Sequence, residues 1–433
     1  ALRAEILEIN GVPILEAVDD TVAWSAPFST EHVRRLQQLR YVVRYPVGTD
    51  VEVTYQNPDA EEPVTTTLTT VSENASFSFS SFNIGLQGDE LPVEFEVLDS
   101  GYGYVKVFSF FDDLPLTVEL WERAMDTFRA QGVPGIILDM RQNGGGFTGV
   151  GYLMMSYFFD EELVIEVESA YDDSIDDFFA YEELPETFQP PAPEERYTGE
   201  VVVIISPACS SACEFVSRSL TIDDRAEVIG QYPTNGIAGG WQPVTMPAGE
   251  EVPNIQVRTL DVDGEIIIEG VGVEPTIRIP VDEETLFYEG DLLLDEAIRF
   301  LDEATTIPVT DGGLIEVGDS VTGTLVEGER IQYQFTTPAE GGFFDFVITS
   351  DDPNLDTVLN LYVVGNLEQP AVSNDDAGDG TLQSALTEIE IPGGLELVIE
   401  VAGFQDAAAG EFTLSVTEST MAEETEEAEG EDV

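Results

Sequence analysis

The sequence predicts a multidomain chain in which an α/β core with a mostly parallel sheet is followed by an all-β sandwich. Two observations predict the core. Gly135-Ile136-Ile137-Leu138 and Val201-Val202-Val203-Ile204-Ile205 are unbroken apolar runs, of the kind buried on both faces of a parallel sheet. Each is followed by small residues, in Asn143-Gly144-Gly145-Gly146 and Cys209-Ser210-Ser211-Ala212, that let a strand turn sharply into a helix and leave backbone N–H groups free at its start. A third observation predicts the sandwich. Beyond Thr305 the chain breaks into about seven short alternating segments separated by Gly, Pro, Asn and Asp turns: Ser320–Leu325, Arg330–Thr336, Phe343–Thr349, Thr357–Val363, Leu386–Ile391, Glu396–Ala402 and Gly410–Val416.

The core elements follow in order. Strands are expected near Pro92–Leu98 and Tyr104–Phe108, then a helix over Leu116–Gln131, where Val118, Trp121, Ala124, Met125 and Phe128 recur at three- and four-residue spacing. The glycine turn opens a helix near Phe147–Phe159. Residues 160–197, acidic and rich in Tyr, Phe and Pro, read as a long surface excursion near the cleft, whose aromatics anchor it in preference to lining a substrate groove. A last helix covers Asp291–Leu301. Alternating strands and helices imply a mostly parallel sheet with helical cover.

Composition narrows the partners. There are 86 acidic residues against 16 basic ones, a formal charge of −70. Such a field repels nucleic acid and anionic membrane surfaces. No stretch reaches the 18 or so apolar residues of a membrane-spanning helix, so no membrane insertion is expected. Lys106 is the one lysine. Abundant acid with almost no lysine fits a high-salt habitat, and equally an acid-rich extracellular protein of ordinary habitats. The chain starts without methionine or signal peptide and reads as a trimmed, secreted or surface protein.

A serine on one small-residue turn, facing glycine amides on the other, supplies a nucleophile and an oxyanion hole. The residues around these turns resemble the tail-specific, or C-terminal processing, serine peptidases. Asp139-Met140-Arg141-Gln142-Asn143-Gly144-Gly145-Gly146 is similar to that family's D-L-R-x-N-x-G-G pattern, and Ala208–Glu214 to its small-residue run ending in glutamate. Asp224–Gly230, Met246–Gly249 and Glu269–Pro275 continue the likeness, which covers roughly residues 75–303. The resemblance implies Ser211 as nucleophile, Ala212 and Gly145 (or its neighbours Gly144 and Gly146) as oxyanion amides, and Gly144 and Gly146 lining the substrate. Arg141 and Asn143 would brace the loop. It also implies the spiral ββα core shared with crotonase-like and Clp-type enzymes, and a polypeptide substrate.

One part of the pattern is missing. The family's common form places a lysine base in G-x-x-T-x-G-K, but Gly230-Gln231-Tyr232-Pro233-Thr234-Asn235-Gly236-Ile237 has none. A serine hydroxyl needs a base. It is a histidine, or it comes from sequence upstream of Ala1, or the site is inactive. His32 is the sole histidine, in the first turn of an amphipathic helix capped by Ser29 or Thr30. It reads chiefly as a partly exposed helix residue, with the base as the alternative role. Cys209 and Cys213 read as two small buried side chains in preference to a disulfide, which would be strained on helical geometry. Two thiols this close do not make a zinc site.

Five segments are expected. Residues 1–72 resemble a partial PDZ-like module, from Leu2–Pro13 and Pro46–Tyr55, with a helical insert carrying Arg34, Arg35, Arg40 and Arg44. Those arginines either pair with nearby acids or clamp a carboxylate. Residues 75–303 form the peptidase-like core, 304–313 a linker, and 314–417 a β-sandwich resembling the pre-peptidase C-terminal domain of secreted proteases. Residues 418–433 are a solvated acidic tail. No cofactor is expected. Asn374, Asp375 and Asp376 supply oxygen atoms suited to calcium, although a metal-free Asx-rich turn is preferred. The functional expectation is a secreted or surface (or periplasmic) serine endopeptidase of the C-terminal processing type; the alternative is an inactive peptidase-like scaffold. Substrate identity and oligomeric state stay open.

Overall fold

The computed structural model describes residues 3–24, 29–58, 60–73, 91–111, 113–180, 185–238, 242–254, 257–367, 369–378 and 380–419. The expected acidic tail lies almost wholly outside the described residues. The chain divides into two compact units, Ala1–Thr305 and Thr306–Val433.

In the first unit, strands β1 (Glu5–Ile9), β2 (Val12–Pro13), β3 (Asp50–Gln56) and β4 (Val64–Thr69) form an antiparallel sheet in the order β2-β1-β3-β4. Helices α1 (Ile14–Asp19) and α2 (Glu31–Tyr41) lie between β2 and β3 in sequence, and Ile9, Val18, Val42 and Val51 share a small core. The arginines here are held by acids: Arg34 by Glu31, Arg35 by Asp19, and Arg44 by Glu73 at 2.8 Å. The carboxylate-clamp reading of these three is therefore replaced by solvated ion pairs, each contributing little stability.

Six strands build the central sheet: β5 (Val93–Val97), β6 (Gly103–Val107), β7 (Gly135–Asp139), β11 (Glu200–Ile204), β12 (Glu227–Gly230) and β16 (Ile277–Arg278). Their order is β16-β12-β11-β7-β6-β5, and every neighbouring pair is parallel except β5 with β6. Side chains alternate across a strand, and both faces are covered. Ile136, Leu138, Val201 and Val203 pack with Trp121, Ala124, Met125 and Phe128 of α3 (Leu114–Gln131). Ile137, Val202 and Ile204 pack on the other face with Ala297 and Leu301 of α7 (Leu292–Thr305). Hence the unbroken apolar runs: every residue of β7 and β11 that meets either layer is worth about 1.5–3 kcal/mol when buried. The remaining helices of this unit used below are α4 (Thr148–Met155) and α5 (Ala212–Ser219), which follow the two turns, and the short α6 (Glu283–Leu286).

Residues 160–197 correct the sequence reading. They form β8 (Leu163–Asp172), β9 (Asp177–Ala180) and β10 (Glu186–Phe188), in a sheet with β15 (Val257–Leu260). Ile165, Val167 and Phe188 are buried there; the glutamates interleaved along β8 hide the strand from a composition-based reading. A separate hairpin pairs β13 (Gln242–Thr245) with β14 (Glu251–Asn254).

The second unit is a sandwich of a five-stranded and a four-stranded sheet. Its strands are β17 (Val309–Leu314), β18 (Ser320–Leu325), β19 (Arg330–Thr336), β20 (Gly342–Thr349), β21 (Thr357–Val363), β22 (Val372–Asn374), β23 (Ala385–Ile391), β24 (Glu396–Gly403) and β25 (Gly410–Glu418). The sheet orders are β17-β19-β24-β21-β22 and β18-β25-β20-β23. The expected linker 304–313 is corrected in part, since β17 pairs in parallel with β19 along an exposed edge. Asp356 faces Asp375 and Asp376; burial and then those two charges push its pKa up. Among the described residues no group of three or more His, Cys, Asp or Glu is arranged to hold a metal, and Asn374 Oδ1 accepts the Ala385 N–H.

Candidate active site

Strand β7 ends at Asp139, which is 1% exposed. The Arg141 N–H and Nε donate to its Oδ1 at 3.0 Å each, while Arg141 Nη2 and the Tyr104 hydroxyl donate to Oδ2 at 2.7 Å each. The same guanidinium donates through Nη1 and Nη2 to Asp291 Oδ1 and Oδ2, at 2.7 Å each, just before α7. Burial works against the Arg141 cation, but the two carboxylates outweigh it and raise its pKa. One side chain thus ties the end of β7 to the start of α7, a bidentate geometry that only arginine supplies.

Beyond this clamp the chain makes its glycine turn. Gly145 and Gly146 have φ of +98° and +138°, values that favour glycine. A β-carbon at 145 would lie 2.8 Å from Ser211 Cβ and 3.0 Å from the Ala212 nitrogen; one at 146 would lie 2.3 Å from the Phe110 carbonyl carbon. The turn is therefore pressed against Ser211. Two hydrogen bonds cross between the turns, from Ser210 Oγ to the Gly144 carbonyl (3.0 Å) and from the Ser210 N–H to the Asn143 carbonyl (3.3 Å).

Ser211 sits at the junction between the loop after β11 and helix α5, with φ 56° and ψ −125°. This sparsely populated conformation is the kind of strain that clusters at functional turns. Its hydroxyl has no hydrogen-bond partner among the described residues, nor has the Ala212 N–H. On the glycine turn the Gly145 N–H is taken: buried Asn143 accepts it on Oδ1 at 2.8 Å. The expectation of Gly145 as an oxyanion amide is corrected accordingly. The Gly144 and Gly146 N–H groups have no acceptor among the described residues. An unpartnered hydroxyl beside unpartnered amides can attack a carbonyl and hold the oxygen that becomes negative.

Glu214 fixes the nucleophile's turn. It is 0% exposed and accepts four hydrogen bonds: from Thr234 Oγ1 and the Gly236 N–H on Oε1 (2.6 Å each), and from the Ser211 and Ile237 N–H groups on Oε2 (2.9 Å each). Burial pushes its pKa up to about 7, against the pull of those donors. The resemblance treated Glu214 as a landmark only. The Ser-x-x-Glu spacing at a helix start, a capping-box pattern, is the signal that could have found this role.

His32 approaches the same loop from α2. Its Nε2 lies 2.8 Å from the Thr234 carbonyl and therefore donates to it, and its ring stacks with Tyr232 at 6.5 Å between centroids. Ser29 Oγ donates to the Gly236 carbonyl and Thr30 Oγ1 to the Asn235 carbonyl (2.9 Å). Burial lowers the His32 pKa below 6.5, partly offset by its carbonyl partner and Glu274. His32 is a partly exposed residue in the first turn of its helix, as expected, and is in addition anchored on the loop behind Ser211. No hydrogen bond joins His32 to Ser211 among those the described residues make. Lys106 is occupied elsewhere, its ammonium 4.2 Å from the Phe108 ring centroid.

Cys209 and Cys213 are disulfide-bonded, which corrects the expectation of two free side chains. Helix α5 begins only at Ala212, so the pair spans a turn whose Cα atoms are 5.4 Å apart, within the ordinary range for a disulfide. The bond straddles Ser210 and Ser211.

Residues 101–279, which carry both turns, match the family model of Peptidase family S41, the family of the C-terminal processing proteases, and form a domain of that family. The carboxy-terminal processing protease CtpA of Bacillus subtilis (strain 168) is 24% identical over 246 residues, 56% of this chain and 48% of its own. The chain thus spans about half the length of that curated relative. Among solved structures, mature CPAF complexed with lactacystin is similar over 70% of this chain and 76% of its own, at 16% identity and a TM-score of 0.48. The photosystem II D1 C-terminal processing protease is similar over 69% and 67%, at 19% identity and a TM-score of 0.36.

Proposed function

We propose that this protein is a secreted or surface serine endopeptidase of the C-terminal processing type. Ser211 attacks the peptide carbonyl; the Ala212 N–H, with that of Gly144 or Gly146, holds the oxyanion. The observation that carries this reading is the pressing of the glycine turn onto Ser211 Cβ while those amides have no acceptor among the described residues. His32 is the proposed proton acceptor. Burial keeps it neutral near pH 7, as a base must be, and α2 delivers it to the loop bonded to Glu214. With its Nε2–H donated to the Thr234 carbonyl, Nδ1 is the accepting atom of the neutral ring, and since no hydrogen bond joins it to Ser211 among the described residues, this role requires the ring to move toward Ser211. The disulfide supports an oxidising compartment. We further propose that residues 1–72 act as a PDZ-like module and 314–417 as an accessory sandwich.

An unpartnered Ser211 hydroxyl equally favours a second reading, a binding scaffold that kept the fold without the base. A fluorophosphonate probe separates them. The parent chain labels on Ser211 and the Ser211→Ala variant does not; His32→Ala slows labelling at least 100-fold and removes an acidic limb centred below pH 6.5. A folded parent that neither labels nor cleaves peptides is the scaffold. Labelling unaffected by His32→Ala assigns the base elsewhere.

A further inference from the structure

Beside the glycine turn stand two aromatic rings that the chemistry above does not use. Phe110 bridges to Gly146: its N–H donates to the Gly145 carbonyl (2.9 Å), and its own carbonyl accepts the Phe147 N–H (3.1 Å). The Phe110 side chain is buried in the core, whereas Phe111, at the bend that follows, is exposed. Phe111 is 69% exposed and Phe147 54% exposed, yet the rings meet edge-to-face at 5.8 Å between centroids. Their backbones are fixed, Phe111 by its N–H on Ser109 Oγ (3.0 Å) and Phe147 by the bridge and by leading into α4. Two contiguous exposed rings forgo several kcal/mol of burial, and here they adjoin the turn that faces Ser211.

We infer that Phe111 and Phe147 form a substrate subsite that receives a bulky apolar side chain flanking the scissile bond. The assignment rests on the peptidase reading for its occupant. That occupant follows from position: a peptide carbonyl placed between Ser211 and the Gly144–Gly146 amides carries its neighbouring side chains past the residues that directly extend that turn. An acidic flank is disfavoured by the charge of −70. The edge-to-face pair presents ring area for aromatic or branched aliphatic contact.

The test is calorimetry on the full chain carrying Ser211→Ala, in about 0.5 M sodium chloride. The probes are two uncharged blocked peptides, acetyl-Ala-Ser-Xaa-Ala-Ser-Ala-amide, with Xaa either Phe or Ala. The Phe peptide is expected to bind about tenfold more tightly. Adding Phe111→Ala and Phe147→Ala together should shrink that ratio below about twofold, and Phe111→Tyr with Phe147→Tyr should restore most of it. Thermal melts should match, because both rings are exposed. Equal affinities in the parent, no binding of the Phe peptide at millimolar concentration, or a ratio that survives the double alanine variant would each overturn the subsite. Hydrolysis, measured separately with Ser211 present, keeps the two readings apart. A ratio that stands without cleavage removes the peptidase and leaves the subsite, while cleavage with equal affinities removes the subsite alone.

Discussion

Glu214 and Glu166 are both buried, and burial pushes both pKa values up to about 7, yet they sit in opposite surroundings. Glu214, on α5, meets four donors from four residues. Among the described residues Glu166, on β8, meets one: the Tyr152 hydroxyl of α4 donates to Oε1 at 2.9 Å, and Oε2 has no partner there. Around Glu166 stand Glu168 on its own strand, Glu186 directly opposite on β10, and Arg218 on α5, which alone pulls its pKa down besides Tyr152. Both side chains are buried; the donor count differs. A carboxylate with four donors is a joint between elements, whereas one with a single donor and an orphan oxygen is a cost that grows as it ionises.

Replacing each glutamate by glutamine sharpens the contrast. Glu214→Gln has the largest expected effect: an amide nitrogen cannot accept, so two of the four donors lose their partner. Stability should fall by about 2–4 kcal/mol in denaturant melts at pH 8, with loss of Ser211 labelling. Removing the disulfide tests the second restraint on the same turn. Cys209→Ala with Cys213→Ala should cost about 2 kcal/mol, the value for so short a loop, read as a lowered midpoint with an unchanged slope. Glu166→Gln should have the opposite sign. A carboxyl with its pKa raised from 4.5 to about 7 binds more protons folded than unfolded between those values. Parent stability therefore falls as pH rises through that window and stays lost above it. The variant escapes that loss and should gain about 1–2 kcal/mol over the parent at pH 8, with little difference at pH 4. A destabilised Glu166→Gln at pH 8 would mean that Oε2 has a partner, and the contrast would collapse. The smallest effect is Tyr152→Phe, which removes the one donor: about 1 kcal/mol lost at pH 8, and less in the Glu166→Gln background.

Legibility in the sequence followed the range of the interactions involved. Ser320–Leu325, Arg330–Thr336 and Thr357–Val363 were readable to the residue because a half-buried strand writes its own period. Strand β17 was not, since Asp311, Gly312 and Gly313 have low strand preference and the segment is held by the parallel edge of β19. At the site, the two small-residue turns were visible as local patterns. The capture of the Gly145 N–H by Asn143 was missed although local, because side-chain rotamers decide it. The disulfide is hidden because four-residue spacing suggests helical geometry, whereas only Cys213 is on the helix and the bend at Ser211 lies between the two cysteines. His32 and Thr234 meet across 202 residues, which no local pattern records.

The Arg141 clamp carries a consequence for the order in which the protein is made. Arg141 and Asp291 are 150 residues apart, and Ser29 and Gly270 are 241 apart, the latter joined by a hydrogen bond of 3.0 Å. A chain emerging from its N-terminus has both small-residue turns outside the ribosome long before it has Asp291. Domains form as units once their segments are present, and contacts this distant in sequence are entropically the slowest to close. The glycine turn therefore lacks its Arg141–Asp291 anchor while the 150 residues between them are made, and that clamp closes only at the last step of the first unit.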